Sequence, residues 1–412
     1  MAEGPGAGVF IPGQQGGGSL DTRAWSAEGF NVFRGKSQSK EQADDISRNN
    51  RSERRKRSLR TEQTEETSHD VRPGRVPESL PYSTAASEFL YGYSSVLAAL
   101  KVNRRNLYKL YIHNRGLDHE GKDAIVQNAR LHRLSVQEVG DEYLRAFDKA
   151  SNGRPHNGFI LEASPLPVPP ITELLSSSLK AGTFELTLDK QTKEDAMVNG
   201  TKEKYSYKSA GWRHPLVLYV DGVLDEGNLG AIARSAYFLG VDAIVTPSRQ
   251  SAPWSHIALK ASAGAAEAIP IFKVNQPADF LGRSAREGWR IYASDAIPPA
   301  EQRPHSVSPQ SEPSVANLAS SVIYAFAKST RRLPVQHCPV ENHPTILMMG
   351  GEGSGLRTSL INAAHYKVGI RHGRDVDEVG VDSLNVSVAA SLLCFHILQK
   401  PQPRQNAGGL LF

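Results

Sequence analysis

Short, continuously apolar runs that alternate with helix-type segments constrain the second half of this chain more than any other feature. LVLYV at 216–220 is one such run, and its length fits a strand that is buried on both faces. The segment 227–240 follows with apolar residues at helical spacing and a stop at Gly240. Strand-type and helix-type patterns continue to alternate as far as residue 398. This rhythm predicts a parallel sheet covered by helices.

A shorter alternation of helix and strand patterns precedes this block. It begins with a predicted helix at 88–102, continues with a strand at 107–113 and closes with a strand at 157–163. The run PLPVPP then interrupts any regular element, because proline removes a backbone donor. The predicted organisation is a disordered tail (1–84), a small α/β domain (85–165), a linker or surface insertion (166–212), a main α/β domain (213–400) with a Pro/Ser-rich insertion (298–345), and a C-terminal tail (401–412).

The predicted N-terminal tail is strongly basic in one segment. Residues 48–60 contain seven Lys and Arg side chains and a single acid. A solvated tail, a nuclear import signal and an RNA-binding arm all fit this composition. Residues 1–30 contain one Arg and three acids, whereas a mitochondrial presequence is rich in Arg and poor in acids. The net charge of +5 is compatible with a polyanionic partner such as RNA.

Membrane and metal sites are not expected from this sequence. No apolar run approaches the 18 residues of a membrane-spanning helix. The chain has two cysteines, too few for a disulfide framework or a zinc cluster. The loop HCPVENH at 337–343 groups possible ligands, but its spacing matches no familiar zinc pattern. The second cysteine, Cys394, is predicted to be a core residue.

Polar and glycine-rich residues interrupt the apolar patterns in three places. The helix at 227–240 opens with Asn228, which suits an N-cap, and carries Arg234 six residues later. About 600° of helical rotation separates the two, so spacing alone does not place them on one face. Each also has a plain structural explanation: a cap for Asn228 and a solvated charge for Arg234.

The second place is the strand–loop–helix MMGGEGSGL, with four glycines within 350–355. Glycine allows the backbone to approach a ligand closely. Leu356 and Arg357 occupy the Lys and Ser/Thr places of a phosphate-binding loop, and the third glycine of the dinucleotide pattern is missing. Glu352 would also lie close to any bound phosphate. The loop therefore favours a ligand without phosphate, with a simple turn as the alternative.

The third place is the start of 381–398, which is apolar nearly all round and predicted to be a buried helix. Ser383 and Asn385 stand there, and both residue types favour caps over helix interiors. A capping role alone is therefore the alternative to a functional one. In the first domain, Arg104 and Arg105 lie near two tyrosines and are predicted either to contact RNA or to form an ordinary exposed face.

Together the three motifs resemble the SpoU/TrmH family of RNA 2′-O-ribose methyltransferases. They read Asn-x-Gly-x-x-x-Arg, Gly-Glu-Gly-x-Gly-Leu and Ser-Leu-Asn-Val-Ser-x-Ala, in that order, within about 213–400. The first domain resembles the L30e-like substrate-binding domain often fused to this family, through Gly92 and the HNGF segment at 156–159. The long tail and the Pro/Ser insertions are most similar to fungal mitochondrial members that modify a guanosine ribose of large-subunit rRNA.

The resemblance implies an α/β fold of the SPOUT type with a deep trefoil knot, S-adenosylmethionine as cofactor and a homodimer with its active site near the interface. It places the protein in the mitochondrion, with the nucleus as the alternative. The same reaction on tRNA and a non-catalytic ribosome-assembly role remain rival functions. The implied functional polar set is Arg234, Asn228, Glu352, Ser383 and Asn385, and the implied cofactor pocket is lined by Gly350, Gly351, Ile370, Leu384 and Asn385.

One departure from the family pattern concerns the segment before the third motif. Relatives usually have Ile-Pro where this chain has Ile370-Arg371, and the connection that follows is slightly long. Segment 370–382 therefore departs from the family pattern, whereas the third motif that follows it keeps that pattern. Arg234 is expected to clamp the adjacent phosphate and the emerging oxyanion, because guanidinium stays protonated in proteins and is poorly suited to act as a base.

Overall fold

The structure, a computed structural model, describes residues 77–401 apart from 119, 296–320, 330, 354, 374–378 and 382. The predicted tail therefore lies almost wholly outside the described residues. Its last residues, however, are packed: Leu80 is buried, and the Ser83 and Ser87 hydroxyls donate to the buried carboxylate of Glu162. Order thus begins several residues before the predicted boundary at 85.

The first domain is a four-stranded sheet in the order β1-β4-β2-β3, with a core cluster on each face. The predicted helix at 88–102 is wrong in its first four residues, which form a strand. Gly92 separates strand and helix with a φ of +89°, a conformation that suits glycine. The elements are β1 (Glu88–Tyr91), α1 (Tyr93–Val102), β2 (Leu107–His113), α2 (Asn114–Leu117), α3 (Lys122–Leu131), β3 (Ser135–Val139), α4 (Leu144–Ala150) and β4 (Phe159–Ala163).

Residues 166–212, predicted as a linker or insertion, contain a folded three-stranded sheet. Its elements are β5 (Ile171–Ser178), β6 (Thr183–Leu188), α5 (Lys193–Asn199) and β7 (Lys204–Ser206). The Leu174 amide donates to Ser284 Oγ at 3.0 Å, and Trp289 Nε1 donates to the Leu175 carbonyl at 2.8 Å. These bonds fix the small sheet on the next domain. The polar sequence reads like a linker because few of its strand residues are buried: Ile171, Leu174, Phe184 and Leu186.

The main domain is a seven-stranded sheet in the order β10-β9-β8-β13-β11-β14-β12. Every neighbouring pair is parallel except β12 with β14. The predicted parallel α/β sheet is therefore confirmed. Its strands are β8 (Leu216–Val220), β9 (Ala243–Pro247), β10 (Ile271–Val274), β11 (Arg290–Ser294), β12 (Val322–Phe326), β13 (Thr345–Met349) and β14 (Tyr366–Ile370).

Two core clusters cover the two faces of this sheet. In β8, Leu216 and Leu218 point into one cluster, whereas Val217 and Tyr219 point into the other. This alternation explains why the strand is apolar at every position. The helices of the domain are α6 (Glu226–Leu239), α7 (His256–Ala261), α8 (Ala265–Ala268), α9 (Pro277–Arg286), α10 (Pro339–Asn342), α11 (Thr358–Ala363) and α12 (Val386–Ile397).

Two helix predictions in the main domain need correction. The first helix of the domain begins earlier than expected, because Asp225 rather than Asn228 is its N-cap and accepts the Asn228 amide. The small-residue helix at 257–269 is two short helices, which Ala263 and Gly264 separate with left-handed backbone conformations. Helix propensity alone reveals neither the choice between two neighbouring caps nor the break at Ala263 and Gly264.

The last helix, α12, is not buried all round. Cys394 is 1% exposed, as expected of a core residue, but Val388, Leu392 and Phe395 are 46%, 43% and 54% exposed. An apolar face of this helix is therefore open to solvent. Part of the predicted 298–345 insertion lies outside the described residues, and its later part supplies the edge strand β12. No helix of the described segments is both long and apolar enough to span a membrane.

Candidate active site

Three parallel strands deliver the predicted motifs to one edge of the main sheet. β8 leads to Asp221, β13 leads to the glycine loop at 350–355, and β14 ends at Ile370. Parallel strands end at a common edge, and in α/β sheets ligands bind outside these carboxyl ends. The Asp221 amide donates to the Met349 carbonyl at 2.9 Å, so β8 and β13 remain paired up to the site.

The glycine loop folds back on itself and packs tightly against the end of β8. A Cβ on Gly350 would lie 2.3 Å from the Gly355 carbonyl carbon, and a Cβ on Gly351 would clash with the Gly222 carbonyl. Gly353 and Gly355 have φ values of +80° and +62°, and a Cβ on either would meet no atom of the described residues within 4 Å. The inner glycines are thus required by packing, whereas the outer two face open space.

One polar residue from each motif meets beside this loop. Glu352 Oε1 accepts from Asn228 Nδ2 at 3.0 Å and from Asn385 Nδ2 at 2.8 Å. Asn385 Nδ2 also lies 3.1 Å from Asn228 Oδ1. These three side chains, which we call the Asn–Glu–Asn cluster, join positions that are more than 30 residues apart in sequence. Glu352 and Asn385 are solvent-exposed and Asn228 is half-buried, so the cluster is accessible to a ligand.

Asn385 has the capping role that its sequence position predicted, together with its place in the cluster. Its Oδ1 accepts from the Ser387 amide at 2.9 Å and from the Ser387 hydroxyl at 2.6 Å, at the start of α12. Because Oδ1 is committed to the helix, the amide nitrogen of Asn385 is fixed toward Glu352. Capping and cluster formation are therefore one arrangement, not alternatives.

An ion pair between a buried acid and a partly exposed arginine, which the sequence interpretation missed, fastens the loop. Arg357 donates from Nε and Nη2 to both carboxylate oxygens of Asp221, at 2.9 and 2.6 Å. The Tyr219 hydroxyl donates to the same carboxylate at 3.1 Å. The hydrogen bond to Asp221 raises the pKa of Arg357, and burial raises the pKa of Tyr219. An acid directly after an apolar strand was the available signal, since such a residue needs a partner.

Arg234 does not join the Asn–Glu–Asn cluster within one chain. It is exposed on α6 and lines a groove of about 370 Å³ between α6 and α12. Phe238, Leu392 and Phe395 also line this groove, and Phe238 is 86% exposed. The groove is therefore an open apolar surface that carries one guanidinium. The six-residue spacing from Asn228 explains the separation, since it advances the helix by about 9 Å.

The remaining predicted site residues lie at the same edge of the sheet. Ser383 and Leu384 are exposed immediately before Asn385, and Ile370 is half-buried at the end of β14. Leu384, at 48% exposed, is an apolar surface next to the cluster. The departure at Ile370-Arg371 leaves β14 intact: the Arg371 amide donates to the Ser321 carbonyl at 2.8 Å.

The side chains and backbone at this edge of the sheet fit a positively charged, partly apolar ligand such as S-adenosylmethionine. Glu352 supplies an exposed negative charge, the outer glycines leave open space above the backbone, and Leu384 and Ile370 supply apolar surface. Among the described residues, His, Cys, Asp and Glu side chains do not gather in groups of three or more that would hold a metal ion. In the 337–343 loop, His337 Nε2 instead lies 2.8 Å from the Tyr292 hydroxyl.

Neither sequence interpretation of Arg104 and Arg105 is correct. Arg105 is 3% exposed and paired with Glu267 of the main domain, so it is not free to contact RNA and is not part of an exposed face. Arg104 donates to the Ile269 carbonyl at 2.7 Å. Tyr111 is also buried, at 1% exposed. Both arginines therefore join the two domains.

Family models and curated proteins match both halves of the chain. The SpoU rRNA methylase family model matches residues 215–395, and a model for RNA 2′-O ribose methyltransferase substrate binding matches 89–169. The folded insertion at 171–206 lies between the two matches.

Among curated relatives, mitochondrial rRNA methyltransferase 1 of Schizosaccharomyces pombe is 32% identical over 76% of this chain and 90% of its own length. The protein of the same name from Saccharomyces cerevisiae is 32% identical over 76% of this chain and 69% of its own length. The 23S rRNA (guanosine-2′-O-)-methyltransferase RlmB of Haemophilus ducreyi is 27% identical over 77% of this chain and its full length. By these similarities, this chain belongs to the SpoU rRNA methylase family.

Proposed function

We propose that this protein transfers a methyl group from S-adenosylmethionine to the 2′-oxygen of a guanosine ribose in mitochondrial large-subunit rRNA. The observation that carries the proposal is the Asn–Glu–Asn cluster, in which three separate motifs meet at the carboxyl edge of the sheet. The rRNA and guanosine assignments are supported by the names of the Schizosaccharomyces pombe and Haemophilus ducreyi relatives. The mitochondrial location is supported by the names of the two fungal relatives.

The cofactor would be held by the loop and the residues around it. Gly350 and Gly351 shape the backbone of this pocket, Leu384 and Ile370 offer apolar surface, and Glu352 offers negative charge. S-adenosylmethionine supplies a methyl group that its sulfonium centre has already activated. The protein must therefore align the acceptor oxygen with that methyl group and stabilise the charge that develops on the oxygen.

Arg234 is the proposed stabiliser of the developing negative charge. An arginine guanidinium presents a planar set of donors that matches phosphate and oxyanion geometry. A clamp on the adjacent RNA phosphate would leave that phosphate available to take the 2′-hydroxyl proton. Asn228 and Asn385 are proposed to hold Glu352 in place, and Ser383 to support the start of α12.

Arg234 lies on the apolar groove, and this position supports the proposed homodimer. The exposed Phe238, Leu392 and Phe395 form an apolar face on α6 and α12 that a second copy of this chain would cover. Burial of that face would bring Arg234 into the interface and out of bulk water, and the lower dielectric there would strengthen its electrostatic effect. The active site would then be complete only in the dimer.

The finer features of the fold are part of the same proposal. We infer a trefoil knot in the 213–400 domain and an L30e-like fold for 85–165, both from the family resemblance. The insertion of β13 between β8 and β11, with β14 placed beyond β11, is the strand order that supports threading of the C-terminal chain.

The test is methyl transfer from labelled S-adenosylmethionine to a large-subunit rRNA fragment, with the modified nucleotide mapped by ribose-methylation sequencing. Arg234→Ala should lower kcat by about 10²-fold or more while cofactor affinity stays within severalfold. Arg283→Ala, a change at another exposed arginine on α9, is the matched control and should retain activity. Full activity of Arg234→Ala would remove this residue from the mechanism.

The same assay separates the rival functions. Methylation of tRNA but not of rRNA would favour the nearer rival. RNA binding without any methyl transfer by the native chain would favour a ribosome-assembly role. The intact Asn–Glu–Asn cluster argues against that second rival, because a binding protein has no need for these polar contacts.

A further inference from the structure

The junction between the first domain and the main domain is closely packed. Helix α1 lies against α8, and strand β1 contacts α7. The Ser95 hydroxyl approaches the Leu259 carbonyl at 3.5 Å across this junction. The first domain therefore does not hang from a flexible connection but rests on two helices of the main domain.

A glycine on each side makes this approach possible. A Cβ added to Gly264 would lie 2.5 Å from the Ala98 Cβ and 2.7 Å from the Ser94 carbonyl oxygen. On the opposite side, a Cβ on Gly92 would clash with Lys260 Nζ. At Gly264 the obstructing atoms are the Ala98 Cβ and the Ser94 backbone, so a larger residue there would push the domains apart, whereas at Gly92 the obstructing atom is the end of a flexible side chain that can move aside. Such complementarity is typical of a permanent contact and not of a transient one.

A buried ion pair locks the same junction. Arg105 Nε and Nη2 donate to the two Glu267 carboxylate oxygens at 2.9 and 2.7 Å. The side chains are 0% and 2% exposed. Arg105 Nη1 also donates to the Ser164 carbonyl at 2.9 Å, so the guanidinium binds the end of the first domain as well. A fully desolvated bidentate pair has one favourable geometry, and any rotation of the domains would break it.

The connection after the first domain is fixed in the same way. The Pro167 carbonyl accepts from Arg104 Nη2 at 3.4 Å, and the Val168 amide donates to Asn199 Oδ1 at 2.9 Å. The Lys273 amide donates to the Pro169 carbonyl at 3.1 Å, so the connection extends the edge of the main sheet. Prolines restrict the remaining backbone freedom. The proline-rich start of the predicted linker is therefore a rigid connection between the two domains.

The helices under the first domain also support the proposed catalytic helix. Gly230 lies on α6 between Asn228 and Arg234, and a Cβ there would clash with the Ala258 carbonyl of α7 and approach the Ala261 Cβ at 2.6 Å. Because a densely packed interface resists small deformations, the position of α7 fixes the position of α6. A continuous set of contacts thus runs from α1 through α7 and α8 to α6.

We propose that Arg105 and Glu267 are positioning residues, which fix the RNA-binding domain at one orientation relative to Arg234 and Asn228. This inference rests on the proposed function. RNA held by the first domain would then present its target ribose to the active site at a set distance. The Arg105–Glu267 pair, which we call the inter-domain lock, touches neither substrate nor cofactor. It affects the reaction by fixing where the reacting groups are placed.

The lock can be tested in the full chain by a distance measurement that does not depend on activity. Nitroxide labels at Lys149→Cys and Glu287→Cys, two exposed positions on different domains, report the inter-domain distance by electron–electron double resonance in a Cys338→Ser background. Cys394 is buried and is left in place. With labelled chain diluted into excess unlabelled chain, so that a dimer carries one labelled protomer, the native pair should give a single narrow distribution, and Arg105→Gln should broaden it. Arg105→Lys, which keeps the charge but not the bidentate geometry, should lie between the two.

Kinetics then connect this orientation to the reaction. Arg105→Gln should lower kcat on the rRNA fragment by about tenfold, with KM for RNA and the Kd for S-adenosylmethionine within about threefold, because both binding sites remain. Ala98→Leu, a wedge at Gly264 that leaves no buried charge, should broaden the distances and lower kcat in the same way. Arg213→Gln breaks a similar buried pair with Asp242 inside the main domain, and it should lower stability without broadening the distances.

Unchanged distance distributions in both Arg105→Gln and Ala98→Leu would overturn the proposal, as would broad distributions with unchanged kcat. If Arg105→Gln fails to fold, Ala98→Leu decides alone. If the native chain methylates no RNA, the proposed function fails, while the distance distributions still decide whether the domains are locked.

Discussion

Loss of the Asp221–Arg357 pair offers the sharpest test of how the glycine loop is held. Arg357→Gln would leave the Asp221 carboxylate, whose side chain is 3% exposed, with a side-chain hydrogen bond from the Tyr219 hydroxyl. The loop it fastens contains Glu352, which binds both asparagines of the cluster. The substitution should therefore reduce both stability and cofactor affinity.

The size of the effect follows from the burial of the two partners. Removal of one partner from a fully buried pair costs about 3–5 kcal/mol. The Arg357 side chain is 41% exposed, so solvent already screens part of the interaction. We expect the free energy of unfolding to fall by about 2 kcal/mol, or roughly 4–8 °C in Tm for a domain of this size. If all of this 2 kcal/mol comes from the ordered loop conformation that binds the cofactor, the Kd for S-adenosylmethionine rises by about thirtyfold.

Thermal unfolding and isothermal titration with S-adenosylmethionine measure the two quantities. Arg213→Gln is the matched control, because Arg213 forms a buried bidentate pair with Asp242 at the start of the same sheet, far along the chain from the loop. It should lower Tm and leave the Kd unchanged. An unchanged Kd in Arg357→Gln, despite a lower Tm, would show that the ion pair supports the fold only and would refute the reasoning.

Three further outcomes are expected. Leu392→Lys should convert a dimer to a monomer in sedimentation experiments, because it puts charge on the exposed apolar face; a monomeric native chain would contradict this. Cys394 should resist alkylation in the native state at pH 8, since burial raises its pKa to about 12; rapid modification without unfolding would disagree. Stability should fall between about pH 7 and 5, because burial lowers the pKa of His337, and likewise of His156, His365 and His396, below the ordinary value of 6.5, and the unfolded chain takes up these protons first. His337→Gln should make this dependence shallower, and an equally steep profile would exclude His337 as a contributor.

Much of the main domain is predictable from local patterns. A strand buried on both faces must be apolar throughout, so the run at 216–220 can be recognised as such a strand. The helical spacing of apolar residues identifies the segment that follows as a helix. The helix boundaries are less predictable: Asp225 and Asn228 both suit a cap, and the fold uses Asp225. The apolar last helix shows a similar limit. Its composition predicts burial, but one face is open within a single chain.

The candidate site is only partly readable in the sequence. Glu352, Asn228 and Asn385 can be singled out because each interrupts an apolar or glycine-rich pattern, but their mutual contacts depend on strand order, which no local pattern encodes. Arg357 shows the difference most clearly. In the sequence it is a residue that fails to match a phosphate-binding loop, whereas in the structure it pairs with a carboxylate 136 positions away.

The sequence by itself determined the parallel α/β class, the three motifs and their chemistry, because burial and helix geometry leave periodic traces along the chain. Tertiary structure alone decided that Arg105 joins domains instead of facing RNA, that the polar stretch after the prolines folds as a sheet, and that Arg234 stands on an open groove apart from the Asn–Glu–Asn cluster. The physical reason is that a charged side chain has the same local sequence signature whether it is solvated or paired. Its partner is supplied by a distant segment that only the folded chain brings near.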